Sequence, residues 1–178
     1  MQVTDLTIYP IKSTSGLNAD HFEVTKTGLE FDRYWVIIDK NNAAITGRQN
    51  TQKLTFSSNL FSDHLLVRHK GDSIKLPFEV VDQQAIEIKI FSSVASGIEI
   101  SDEVNSWFSE RLKLACRVVV LDRNRQRQIQ KIHGGKDGEI VGFADMNPIL
   151  LISTASLADL NSRLNNSVSM SNFRPNIV

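Results

Sequence analysis

Apolar positions in the first hundred residues come in short runs separated by turn-forming residues. Tyr34 to Asp39 (Y-W-V-I-I-D) is aromatic and β-branched, and the Lys40-Asn41-Asn42 that follows predicts a strand closed by a tight turn. His64 to His69 and Ser73 to Phe78 flank Lys70-Gly71-Asp72, the pattern of a second hairpin. Ile86, Ile88 and Ile90 alternate with Glu87 and Lys89, the period of two expected of a half-buried strand, and Gly97 to Ser101 repeats it in brief. Thr4 to Ile8 is a further short strand candidate. Short strands at this spacing predict a barrel or sandwich.

Two stretches change period. Val104, Trp107, Phe108 and Leu112 fall at helical spacing behind Ser101, a natural N-cap with Asp102 and Glu103 in the first turn. Leu157, Leu160 and Leu164 share one face behind Ser153 and Thr154. Both predict amphipathic helices packed on a sheet. Val118 to Leu121 and Ile149 to Ile152 are continuous apolar runs, expected as strands buried on both faces. Asp122 to Gly138 is polar and reads as a long exposed hairpin or mobile loop. The fold class expected is mainly β with α. Ile177 and Val178 read as the opening of a buried strand at the last two positions, which leads us to expect a truncated polypeptide with part of any active site missing.

Composition narrows the function classes. The 178 residues are 41% hydrophobic and 22% charged, and 20 basic residues balance 20 acidic ones. That balance gives no general attraction to nucleic acid or anionic membranes. No apolar stretch is long enough to span a bilayer, and no secretory signal order is present. The single cysteine, Cys116, excludes an internal disulfide and fits a reducing cytoplasm. A soluble cytoplasmic protein is expected.

Candidate chemistry lies at three places. The loop Tyr9-Pro10-Ile11-Lys12-Ser13-Thr14-Ser15-Gly16 offers an ammonium and three hydroxyls, which suits an anion; its plainer reading is a polar turn. Asp32-Arg33 leads directly into an apolar strand, so Arg33 either pairs with Asp32 or points into a pocket for a phosphate or carboxylate. Arg48 stands at a later turn. Pro175 pushes Arg174 towards an extended backbone, a way to aim a guanidinium, or simply a turn leading into a strand. His21, His64, His69 and His133 have no metal-ligand spacing. Cys116 reads as a small buried hydrophobe rather than a nucleophile. Arg123, Arg125, Arg127 and Lys131 form a basic patch without aromatic neighbours, read as a solvated loop rather than a nucleic-acid arm.

Six segments then stand in a familiar order: Y-P-I-K-S (9–13), G-L-E-F-D-R-Y-W (28–35), I-T-G-R-Q (45–49), F-A-D-M-N-P (143–148), S-T-A-S-L-A-D-L-N-S-R-L (153–164) and N-F-R-P-N-I-V (172–178). Together they resemble the MOSC family, named for the molybdenum cofactor sulfurase C-terminal domain, in the branch that includes the amidoxime-reducing component. The resemblance implies a β-barrel-like N-terminal domain over 1–121 and the first part of a MOSC β-barrel domain over 122–178. It also implies a pterin-bound molybdenum cofactor (molybdopterin), reducing N-hydroxylated or N-oxygenated small molecules. Electrons would come from a redox protein or a fused iron–sulfur domain.

By motif match, Lys12 and Ser13 would hold the phosphate end with Arg33. Ser153 and Thr154 would donate from a helix start, and Arg174 and Asn176 would complete the cage, with Arg48 as an addition. The family's metal-binding cysteine follows the F-R-P-N motif, whereas Cys116 precedes it. The 178 residues are therefore expected to bind cofactor weakly if at all and to lack activity, and to self-associate through an exposed sheet edge. The rival reading is a non-catalytic module binding an anionic small molecule or a partner protein. Neither nucleic acid nor membrane is expected as a partner.

Overall fold

The computed structural model describes residues 2–125 and 127–178. The chain begins with a short ribbon, β1 (Thr7–Ile8) against β2 (Leu17–Asn18), followed by a second, β3 (Val24–Thr25) against β4 (Gly28–Leu29). β5 (Trp35–Ile38) enters the main sheet, and β6 (Ser57–Leu60), β7 (His64–His69) and β8 (Asp72–Pro77) form an antiparallel meander. Lys70 and Gly71 both take positive φ (49° and 86°) between β7 and β8, the primed turn a tight hairpin needs.

β9 (Ala85–Ile90), β10 (Ser93–Glu99) and β11 (Arg117–Leu121) complete an antiparallel sheet in the order β5-β11-β10-β9. α1 (Asp102–Leu112) links β10 to β11, with Ser101 accepting the Val104 amide at 3.3 Å. β12 (Arg127–Gln128) pairs with β13 (Ile140–Val141), and α2 (Thr154–Asn161) follows. The fold is mainly β with two helices, as the period-two pattern predicts.

One continuous core joins the sheet and the meander. Val36, Ile88, Val118 and Val120 meet Leu65, Val67 and Leu76, and α1 contributes Val104, Phe108 and Leu112. Trp35 is fully buried and its indole donates to the Pro77 carbonyl at 3.1 Å, tying sheet to meander. Gly97 faces the tightest part of this packing. A Cβ there would lie 2.4 Å from Val119 Cγ1 and 3.0 Å from Phe143 Cζ. Gly97→Ala is expected to lower stability by about 1–3 kcal/mol, read as a reduced urea midpoint, because a methyl must displace core side chains.

Three sequence expectations are corrected. α2 does not pack on a sheet: none of its residues is buried, because no sheet among the described residues covers its leucine face. Ile149 to Ile152 is not a doubly buried strand. Leu150 and Leu151 are exposed, and the segment makes one isolated parallel bridge, Leu151 to Ile177. Residues 122–138 take the hairpin reading rather than the mobile-loop one, since β12 pairs with β13 and a 3-10 turn at Lys131–His133 lies between them; Gln126 lies outside the described residues.

The basic patch is likewise only half solvated. Arg123 donates to the Tyr34 hydroxyl at 2.6 Å, and Arg127 bonds inward, while Arg125 and Lys131 stay exposed. The chain end is stitched on two sides. Thr7 donates to Asn176 and Thr4 to Val178 (both 2.9 Å), while Ile152 donates to Ile177 at 3.0 Å. Ile177 therefore presents no free edge of its own.

Candidate functional site

Residues 9–16 leave β1 and are sewn to β5. Lys12 donates its amide to the Trp35 carbonyl at 2.8 Å, and Ile11 is fully buried beside it. Thr14 turns back onto the Ile11 carbonyl with both its amide and its hydroxyl, and the Ser15 hydroxyl bonds the Phe56 carbonyl. Of the three hydroxyls, that of Ser13 alone makes no hydrogen bond among the described residues. Ser13 sits at φ 69°, in the left-handed region that costs a side-chain-bearing residue energy. Arg33 (47°), Phe91 (51°) and Arg174 (57°) share that conformation around the same place, so Arg174 is left-handed and not extended as its position before Pro175 predicts. Such outliers persist only where the surroundings over-determine them, and they concentrate at ligand sites.

Two adjoining clefts open here, one of about 700 Å³ and one of about 330 Å³, sharing Lys12, Ser13, Asp145, Phe173 and Arg174. Lys12 is only 5% exposed and donates to the Phe143 carbonyl at 2.8 Å and to the Asp145 carboxylate. Burial pushes its pKa down and the carboxylate pulls it back up. Arg174 lies with its guanidinium carbon 4.1 Å from the Tyr9 ring centroid, and Arg33 lies 4.5 Å from the same ring. One terminal guanidinium nitrogen of Arg174 bonds the Thr14 carbonyl; the other is buried without a partner among the described residues. Burial, with the Arg33 charge second, lowers the Arg174 pKa to about 10.

Arg33 is already employed. It donates to Asp32 at 2.5 Å, to the Asn176 side-chain carbonyl at 3.0 Å and to the Arg174 carbonyl at 3.2 Å. Arg33 therefore pairs with Asp32, one of its two readings, and it also lines the smaller cleft. Asn176, 1% exposed, is a hub: its side chain accepts from Arg33 and the Leu150 amide and donates to the Thr7 carbonyl. Its polar atoms serve the protein. Arg48 is exposed at the lip of the larger cleft and makes no hydrogen bond or ion pair among the described residues.

Ser153 and Thr154 are not brought to either cleft. Ser153 is exposed and caps α2 by accepting the Ser156 amide at 3.0 Å. Cys116 is buried beside Ser109, its thiol pKa pushed up by burial, and it lines neither cleft. No group of three His, Cys, Asp or Glu side chains fit to hold a metal occurs among the described residues. Asp145 and Arg127 also belong to the site, and neither carries a local signal of it. Asp145 was visible only as a letter of F-A-D-M-N-P; Arg127 looked like one member of a solvated run.

A third cleft is larger, about 930 Å³, between β8 and α1. Glu79, Glu103 and Glu110 rim it with Lys75 as the sole cation, so its field opposes an anion. The cationic pair of clefts is the one with convergent chemistry.

Comparison with known proteins places the chain in a family. The chain matches the MOSC N-terminal beta barrel domain over residues 1–115 and the MOSC domain over residues 130–178. It belongs to the MOSC family. Mitochondrial amidoxime reducing component 2 of Bos taurus is 36% identical over 99% of this chain and 55% of its own length. Its Homo sapiens counterpart is 32% identical, and mitochondrial amidoxime-reducing component 1 of Mus musculus 33%, each over 99% of this chain. The chain spans about half the length of the curated relatives it matches. In this MOSC chain, the segment from Phe173 to Asn176 closes the cleft that Tyr9 to Ser15 opens. No helix among the described residues is long and apolar enough to cross a membrane.

Proposed function

We propose that the Lys12–Arg174 cleft binds the phosphate-bearing end of a molybdenum–pterin cofactor, and that the whole protein reduces N-hydroxylated or N-oxygenated small molecules. The observation that carries the reading is the buried guanidinium nitrogen of Arg174 without a partner. A desolvated donor of that kind costs free energy until an acceptor fills it, and a phosphate oxygen is the acceptor best matched to a guanidinium. The Ser13 hydroxyl and Arg48 stand by, and two guanidinium groups hold a net positive field over Tyr9.

These residues fit the anionic end of the group; the described residues lining the cleft offer no thiolate for its metal. When bound, the cofactor would supply a two-electron centre for N–O reduction, fed by a redox protein or a fused iron–sulfur domain. The names of the relatives support a reductase of this substrate class. Asp32, Arg33 and Asn176 would keep the walls in place, Arg174 and Ser13 would bind, and Lys12 would supply charge from beneath.

Calorimetry with phenyl phosphate tests the binding step. One site per chain is expected, and Arg174→Met should weaken it at least tenfold, in line with about 1.5–3 kcal/mol for a hydrogen bond to a charged group. Equal affinity of the two proteins would refute the assignment of this cleft.

A further inference from the structure

Lys12 is the most buried cation of the cleft, yet its charge is already taken. Its ammonium bonds the Phe143 carbonyl at 2.8 Å and the carboxylate of Asp145. The two partners differ in kind. Phe143 is fully buried, whereas the Asp145 side chain is 52% exposed and borders both clefts. The backbone beneath Asp145 is clamped independently. Arg127 donates to the Gly142 carbonyl at 3.0 Å, to the Ala144 carbonyl, to the Asp145 carbonyl at 3.4 Å and to the Ser93 hydroxyl at 2.6 Å. Residues 142–145 can thus stay in place while the Asp145 side chain rotates. Lys12 does not need Asp145 for its position either, because the Phe143 carbonyl and the Trp35 carbonyl hold its two ends.

We propose that Asp145 is a displaceable counter-ion: it neutralises Lys12 in the unliganded cleft and is expelled when an anionic ligand takes its place. This rests on the reading of the cleft as an anion site and adds the residue that sets its affinity. The physical reason is that an ammonium with so little water around it requires a partner in the empty state, since an unpaired buried charge is costly. The nearest acceptor on a movable, half-exposed side chain fills that need. A ligand phosphate then replaces one anion by another at Lys12, so ejecting Asp145 is subtracted from its affinity. Asp145 also makes the cleft selective. An incoming anion must outcompete a carboxylate already in contact, which favours a phosphomonoester dianion over a monocarboxylate.

The test is phenyl phosphate calorimetry on four proteins: the natural chain, Asp145→Asn, Lys12→Met and the double variant. Asp145→Asn should tighten binding about tenfold, because nothing has to be expelled. Lys12→Met should weaken binding far more in the Asp145→Asn background than in the natural one, where losing the ammonium also removes the competitor's hold. Asp145→Ala, melted alongside, repeats the measurement should the asparagine form fold poorly. Unchanged or weaker binding by both Asp145 variants overturns the proposal while leaving the anion site intact. Equal Lys12→Met losses in the two backgrounds also overturn it, since simple repulsion by Asp145 gives that result. If no form binds phenyl phosphate, the anion-site reading itself fails, and this proposal with it.

Discussion

Lys53→Met is expected to stabilise the protein by about 3 kcal/mol at neutral pH. Lys53 is fully buried in a 3-10 turn (Thr51–Thr55), and among the described residues its ammonium has a single partner, the Ile45 carbonyl at 2.5 Å. Burial, reinforced by the charges of Lys12 and Arg174 and opposed by Cys116, lowers its pKa to about 7. The unfolded chain carries the ordinary lysine value of about 10.4.

The sign follows from where the proton sits. Between those two values the unfolded chain binds a proton that the folded chain refuses, so stability rises with pH across that window. Below about pH 7 both states are protonated, and the full penalty of roughly 4–5 kcal/mol stands, at about 1.4 kcal/mol for each pH unit that separates the two values. Methionine removes the penalty and forfeits one hydrogen bond worth about 1 kcal/mol. Urea unfolding of both proteins from pH 6 to about pH 9.5 should show the advantage of the variant shrinking to near zero. A pH-independent difference, or a variant less stable at neutral pH, would contradict a charge buried against its preference.

The second large effect has the opposite direction. Arg33→Ala should cost about 3–5 kcal/mol, because it strands the Asp32 carboxylate, whose side chain is 2% exposed, without its cation. Burial already raises the Asp32 pKa even with Arg33 beside it. Without Arg33 that rise grows, so the folded chain holds a proton at pH values where the unfolded chain has lost it. The loss should therefore be larger at pH 7 than at about pH 5. Arg33→Ala with Asp32→Asn should recover much of the deficit, since the remaining pair is neutral. Chemical denaturation of the three variants at two pH values decides it; a double variant no better than the single one would mean that the bonds of Arg33 to Asn176 and Arg174 matter more than its charge.

The two effects bracket how the cleft is built. Arg33 is a structural cation that joins the start of β5 to the segment 174–176, whereas Arg174 keeps a donor free for a ligand. Both are arginines at a turn, and sequence alone assigned them the same part. Their difference lies in partners far along the chain: Asp32 is adjacent to Arg33, but Asn176 is 143 residues away. The same holds for Ser13, Thr14 and Ser15. Three consecutive hydroxyls read alike, and only the folded loop shows two of them spent on carbonyls.

Where local order governs, the sequence was sufficient. The alternation of Ile86, Ile88 and Ile90, the turn at Lys70-Gly71 and the Ser101 cap act within a few residues, and β9, the β7–β8 hairpin and α1 appear as their patterns predict. The motifs about Lys12, Arg33 and Arg174 also announced the cleft, through the resemblance they carry together. What the sequence could not settle was which charges face which. The pairing of Lys12 with Asp145 spans 133 residues, Arg127 turns inward from a run that looks solvated, and the leucines of α2 are only half-buried despite their helical spacing. Period and capping are energies of neighbours along the chain and can be read from it. Charge pairing and burial are energies of neighbours in space, and the tertiary structure alone decides them.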